Sequence, residues 1–178
     1  MHEPEYAELQ NLEKEGKCIV GVGRPTAKTF FLRVPISQVE AETGYAPYFE
    51  KGVVFLFFLA GPICLVGSIL AAFLAFGWWG LIAVIIGFPV YLTYFASSSR
   101  GRAGARLISL IMLIAAVAHF FDSFLHPAVT RFILLYVLAL WSARMLYVTA
   151  TSFYRNMALM NAKLYNLMSG GIVLRHLT

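Results

Sequence analysis

The chain has 178 residues, of which 60% are hydrophobic and 13% charged, with a formal net charge of +5. Soluble domains carry about 25% charged residues, so this composition argues against an ordinary soluble domain and points to a membrane. Eight of the nine acids lie in the first fifty positions, and Asp122 is the only one beyond them. The excess positive charge therefore belongs to the apolar part of the chain, where it reads as a topology signal and not as a nucleic-acid surface.

Residues 1–52 read as a small polar segment. "PEYAELQNLEKEG" predicts a helix that stops at Gly16. "KCIVGVG" and "TFFLRV" predict two strands around "RPTAK", a hairpin with a longer loop. In "SQVEAETG", Ser37 and Glu40 have the spacing of a capping box, and Gly44 ends a short helix.

The first apolar run begins near residue 53, behind a charged segment, which is not the pattern of a cleavable signal peptide. Residues 53–151 are predicted to form four transmembrane helices, at 53–76, 78–96, 105–125 and 129–151, since a bilayer core needs ~20 helical residues. Gly77 and the Trp78/Trp79 pair mark the first turn at a membrane–water interface, where indole rings are favoured. The connection "SSSRGRAGAR" holds Arg100, Arg102 and Arg106 and no acid. By the positive-inside rule it is cytoplasmic, and with four crossings so are both termini, in a plasma (inner) membrane. Gly67, Ala71 and Ala75 recur every four residues, as do Ala139 and Ala143, a spacing that lets helices approach closely.

Residues 152–178 are predicted to extend the last helix to about Met168, because "YVTATSFYRNMALMNAKLYNLM" holds no Gly or Pro. At ~1.5 Å per residue that extension projects ~25 Å. "IVLRHL" then reads as a strand that adds to the N-terminal hairpin, which is marginal in water by itself. The expected fold is an all-α membrane protein: four transmembrane helices in two hairpins, with a small α/β cytoplasmic cap made from both termini.

Motifs for chemistry are sparse. Cys18 and Cys64 fit no metal or redox spacing and read as reduced thiols. "GVGRPTAKT" departs from a phosphate loop, with Ala27 where glycine is required and Pro25 removing a backbone donor, and reads as a hairpin turn. His119 and His126 share one helix face, whereas haem between two histidines needs them on facing helices. A haem-binding anchor subunit is accordingly a second alternative, and no cofactor or metal is assigned. Only one carboxylate lies in the apolar half, so a paired-carboxylate mechanism has no residues, and the chain is read as no enzyme.

Arg144 is the residue that needs an account, because a charge near the bilayer centre costs ~2.5–3.5 kcal/mol on insertion scales. It lies seven residues inside the predicted cytoplasmic edge, ~10 Å deep at ~1.5 Å per residue. Asp122 is ~5 Å from the opposite face of a ~30 Å core, too far to pair with it, and is assigned instead to Arg131 across the turn between the third and fourth helices. Pro62 and Pro89 sit ~12–13 Å deep, close to the level of Arg144. Each frees a carbonyl four residues earlier, and each has a glycine beside it. Three roles for Arg144 stay open: snorkelling toward inner phosphates or Glu50, capping the freed carbonyls or an acid of another subunit, and lining a wet cavity for an anion.

The function this favours is that of a non-catalytic, small multipass subunit. It would assemble with copies of itself or with other membrane proteins into a larger complex, such as a secretion or transfer apparatus or a channel. The alternative is a homo-oligomeric channel or carrier for an anionic or small polar solute, with Arg144 at the constriction. Its partners are the lipid bilayer and membrane-protein subunits, not nucleic acid.

Overall fold

The computed structural model describes residues 3–98, 110–111, 113–114, 116–117 and 127–176. It is mostly helical, with one two-stranded sheet. Chain order gives α1 (Glu3–Lys14), β1 (Cys18–Val22), α2 (Arg24–Arg33), α3 (Ile36–Thr43), α4 (Tyr48–Phe76), a 3₁₀ turn (Gly77–Trp79) and α5 (Gly80–Ser98). After these come α6 (Pro127–Ala158), α7 (Ala162–Met168), a second 3₁₀ turn (Ser169–Gly171) and β2 (Ile172–His176). Two compact units result: residues 1–55 with 147–178, and residues 56–146.

The first unit joins the two ends of the chain. β1 pairs antiparallel with β2, in a register running from Cys18 opposite His176 to Val22 opposite Ile172. The core of this unit holds Leu9, Cys18, Val20, Ala27, Phe31, Val39, Met157, Leu164 and Met168, all buried. Phe30 and Phe31 meet Tyr154 and Phe153 edge to face, with ring centroids 5.3 and 6.4 Å apart. Cys18 and Cys64 are both free thiols.

Two sequence expectations are corrected here. The segment "TFFLRV" is no strand: residues 24–33 are helical, so β1 finds its neighbour at the other terminus and there is no N-terminal hairpin. Pro25 stands in the first turn, where its missing N–H costs nothing and its fixed φ suits a helix. Ala27 and Phe31, four apart, both face the core, which is helical and not strand spacing. Ser37 likewise caps nothing. Pro35 occupies the cap position of α3 without a side-chain bond, and Ser37 falls inside the first turn. The helix does end at Gly44, whose φ of +75° is the left-handed cap that glycine adopts without strain.

The long helical extension is also interrupted. α6 ends at Ala158, and Asn161 starts a separate helix by accepting a hydrogen bond from the Leu164 N–H at 2.8 Å. The break is held from outside: Tyr6 donates to the Ala158 carbonyl (3.2 Å) and Gln10 to that of Leu159 (2.9 Å). These carbonyls at the end of α6 would otherwise lack partners. α7 leads into β2 through Gly171, where a Cβ would stand 2.6 Å from the Tyr154 hydroxyl. That hydroxyl donates to the Met168 carbonyl at 2.6 Å.

Two helical stretches, Tyr48–Ser98 and Pro127–Ala158, are long and apolar enough to cross a membrane. The first is folded back at Gly77, whose φ is +57°, and Gly80 comes so close to α4 that a Cβ there would stand 2.7 Å from the Ala72 carbonyl oxygen. Of the four expected spans, the third, at 105–125, falls largely outside the described residues, as does the Arg100–Arg106 linker.

Two outcomes follow. Truncation after Ser169 removes the whole partner of β1, so limited proteolysis should cut residues 17–23 of the shortened chain much faster than in the full chain. Tyr45 donates to Glu50 at 2.5 Å, and this bond to a carboxylate, with burial adding to it, pushes the tyrosine from 10.0 up to about 12. The stabilisation is then present in full below pH about 10 and lost as pH rises through about 12. In a pH series of unfolding, the stability gap between wild type and Tyr45→Phe should stay flat to about pH 10 and close above it.

Candidate functional site

The residues singled out for function concentrate in the second unit. Pro62 lies inside α4 and Pro89 inside α5, so both prolines are accommodated without ending their helices. Around them the described residues form a core of Leu65, Tyr91, Val137, Leu140 and the small Ala139 and Ala143, with Cys64, Tyr94, Phe95, Tyr136 and Trp141 packed against it.

At each proline a tyrosine meets a glycine. Gly61 precedes Pro62, and a Cβ on it would stand 2.9 Å from the hydroxyl of Tyr91, on α5. Gly87 lies two residues before Pro89, and a Cβ on it would come within 3.3 Å of the Tyr136 ring, on α6. Tyr136 donates to the Gly87 carbonyl at 2.7 Å. The two glycines open the helix surface, and each opening admits one phenol.

Arg144 is half-buried on α6. A cavity of about 170 Å³ next to Pro62 is lined by Phe57, Phe58, Tyr91, Leu92, Phe95, Ala143 and Leu146, with Tyr91 as its one polar side chain. Arg144 is not part of that lining. A second void beside Gly87 and Tyr136 measures about 10 Å³, scarcely room for one water. Neither has the size and polarity of a solute pathway.

The remaining predicted residues are dispersed. Glu50 lies in the first turn of α4 and accepts from Tyr45, while the neighbouring Lys51 donates to the Val34 carbonyl at 2.9 Å. Arg131 is exposed near the start of α6 and borders an open groove of about 340 Å³ with Gly67, Leu70, Ala71, Leu74, Leu134 and Leu135. Its expected mate Asp122, and the histidines at 119 and 126, lie outside the described residues. Of the small-residue series, Gly67 fits against Leu135, with a Cβ position 3.3 Å from its Cδ1. Ala71 is buried and Ala75 half-buried. Among the described residues no group of three or more His, Cys, Asp or Glu side chains is placed to hold a metal ion.

Sequence reasoning missed Tyr91 and Tyr136. The available signal was local for one of them: Tyr91 follows Pro89 by two residues, beside the glycine-proline break. For Tyr136 the contact spans 49 residues and no spacing rule reaches it. No protein-family model, no curated protein and no solved structure matches the chain.

The Gly61–Tyr91 contact predicts a specific coupling. Gly61→Ala places a methyl group against the Tyr91 hydroxyl and should destabilise the protein, whereas in Tyr91→Phe the added methyl has room. In a double-mutant cycle by chemical unfolding in detergent, the pair should recover ~0.5–3 kcal/mol relative to the sum of the single variants.

Proposed function

We propose that this chain is a small multipass membrane protein that serves as a non-catalytic subunit of a larger assembly, built from copies of itself or from other membrane proteins. In this reading four helices cross the plasma (inner) membrane, the third from residues 105–125. The Arg100–Arg106 linker and both termini then face the cytoplasm.

The observation that carries the reading is an inversion of burial in the second unit. Its outer surface is hydrocarbon, with Leu74 77%, Ile85 71% and Ile63 65% exposed, while Ser68, Thr130 and Ser142 are buried. A water-soluble helical protein hides the large apolar side chains and exposes the small polar ones. Only 22% of the apolar window in Tyr48–Ser98 and 39% of that in Pro127–Ala158 is buried inside the chain. Such faces need lipid or partner helices around them, and small-residue seams suit close helix approach. The carbon-lined cavities support a subunit over a solute pathway through a single chain.

The decisive measurement is the mass of the particle extracted in mild detergent, with whatever co-purifies. A defined oligomer or a mixed complex is expected, and a lone chain in its micelle would sink the proposal. Arg144→Gln should reduce that assembly. If the variant assembles fully and wild-type liposomes conduct anions that the variant's do not, the channel alternative takes its place. Reporter fusions should place residues 97–106 in the cytoplasm.

A further inference from the structure

A pocket in the first unit is lined mainly by polar and basic side chains. It is open, measures about 250 Å³, and is lined by Val20, Val22, Arg24, Thr151, Ser152 and Arg155. Its walls are the β1 strand, the first residue of α2 and one turn of α6. Val20 and Val22, two apart on a strand, face the same side and give it an apolar floor. Ser152 and Arg155 are exposed, so the polar side of the pocket is reached from solvent.

We propose that this pocket binds a phosphate-bearing anion, held by the guanidinium groups of Arg24 and Arg155 and the hydroxyl of Ser152. Two guanidinium forks and a hydroxyl match the acceptor-rich surface of a phosphate, which accepts several charge-assisted hydrogen bonds at once. Thr151 shapes the wall without donating to the ligand, because its hydroxyl already donates to the Tyr147 carbonyl at 2.6 Å. Ser152 is then the hydroxyl that a ligand meets. Drug-sized sites run to ~300–1,000 Å³, so a cavity of about 250 Å³ fits a headgroup or a small phosphoester.

A resident carboxylate regulates the site. Arg155 is paired with Glu13 of α1, and the Glu13 side chain is 18% exposed against 44% for the arginine. An incoming anion must compete with Glu13 for the same guanidinium. Binding therefore loosens the contact between α1 and α6, and the carboxylate lowers the affinity below what the two arginines would give alone.

The phosphate has two possible sources, a lipid headgroup or a soluble phosphoester, and the test separates them. The full chain in a non-ionic detergent is titrated calorimetrically with inorganic pyrophosphate and with dioctanoyl phosphatidylglycerol, with uncharged dioctanoylglycerol as the control. Wild type should bind at least one phosphate probe and not the control. Pyrophosphate binding assigns a soluble ligand, and binding of the lipid alone assigns a headgroup. Arg24→Gln should weaken binding at least tenfold, and Ser152→Ala severalfold. Arg24→Lys, which keeps the charge but loses the fork, should fall between wild type and Arg24→Gln. Glu13→Gln should tighten binding severalfold, an effect that general damage to the unit cannot produce. The proposal is overturned if wild type binds neither probe, if Arg24→Gln with an unchanged circular dichroism spectrum binds as wild type does, or if Glu13→Gln weakens binding.

Discussion

A glycine on a helix presents bare backbone, and among the described residues three such places are met by a tyrosine. Tyr91 lies over Gly61, Tyr136 over Gly87 and Tyr154 over Gly171. At the last two the hydroxyl also donates to a main-chain carbonyl, at 2.7 Å to Gly87 and 2.6 Å to Met168. The combination depends on both partners. Any Cβ at the glycine occupies the space of the phenol, and a phenylalanine in place of Tyr136 or Tyr154 leaves its carbonyl without that donor at ~1–3 kcal/mol. On the proposed reading this constraint is strongest in the apolar unit, since lipid supplies no hydrogen bonds to replace a lost one.

The inversion of burial was legible in composition, because sixty per cent hydrophobic residues exceed what the interior of so small a chain can enclose. The apolar runs marked α4, α5 and the first part of α6, and Gly77 with its two tryptophans marked the fold-back between the first two. Short segments were harder. "TFFLRV" is rich in strand-forming types, and over six residues strand and helix periods cannot be told apart by composition. The helix was written instead in Pro25 and in the four-residue step from Ala27 to Phe31. Asn161 was a visible cap, hidden because a run without Gly or Pro looked continuous. What could not be read from spacing was the tertiary use of tyrosine, since the residues that complete each contact come from another helix.

The segment "RPTAK", the first turn of α2, lies at the proposed anion pocket without being a phosphate loop. As a phosphate loop it fails: Pro25 cannot donate and Ala27 replaces the glycine. That objection concerns backbone donors only. The proposed anion pocket uses the Arg24 side chain at the head of α2, together with residues from α6 more than a hundred positions away. Folding residues 24–33 as a helix, and closing β1 with β2 instead of a hairpin, is what brings the two arginines to one opening.

Charge is divided between the two units as sharply as hydropathy. Residues 56–146 hold five arginines against one acid, Asp122, whereas the other unit holds nine cations against eight acids. The mixed unit settles charges internally, as Arg155 does with Glu13 and Lys17 with Glu15 at 2.6 Å. The apolar unit has too few acids for that. Arg144 is half-buried on a helix among Ser142, Ala143 and Leu146, all buried. An aliphatic residue there would fill space as well. What a guanidinium adds is direction, because five donors in a plane distinguish an oxygen-bearing neighbour from a hydrocarbon one. On the proposed reading that directional preference is what lets one greasy helix face accept its partner in a single orientation.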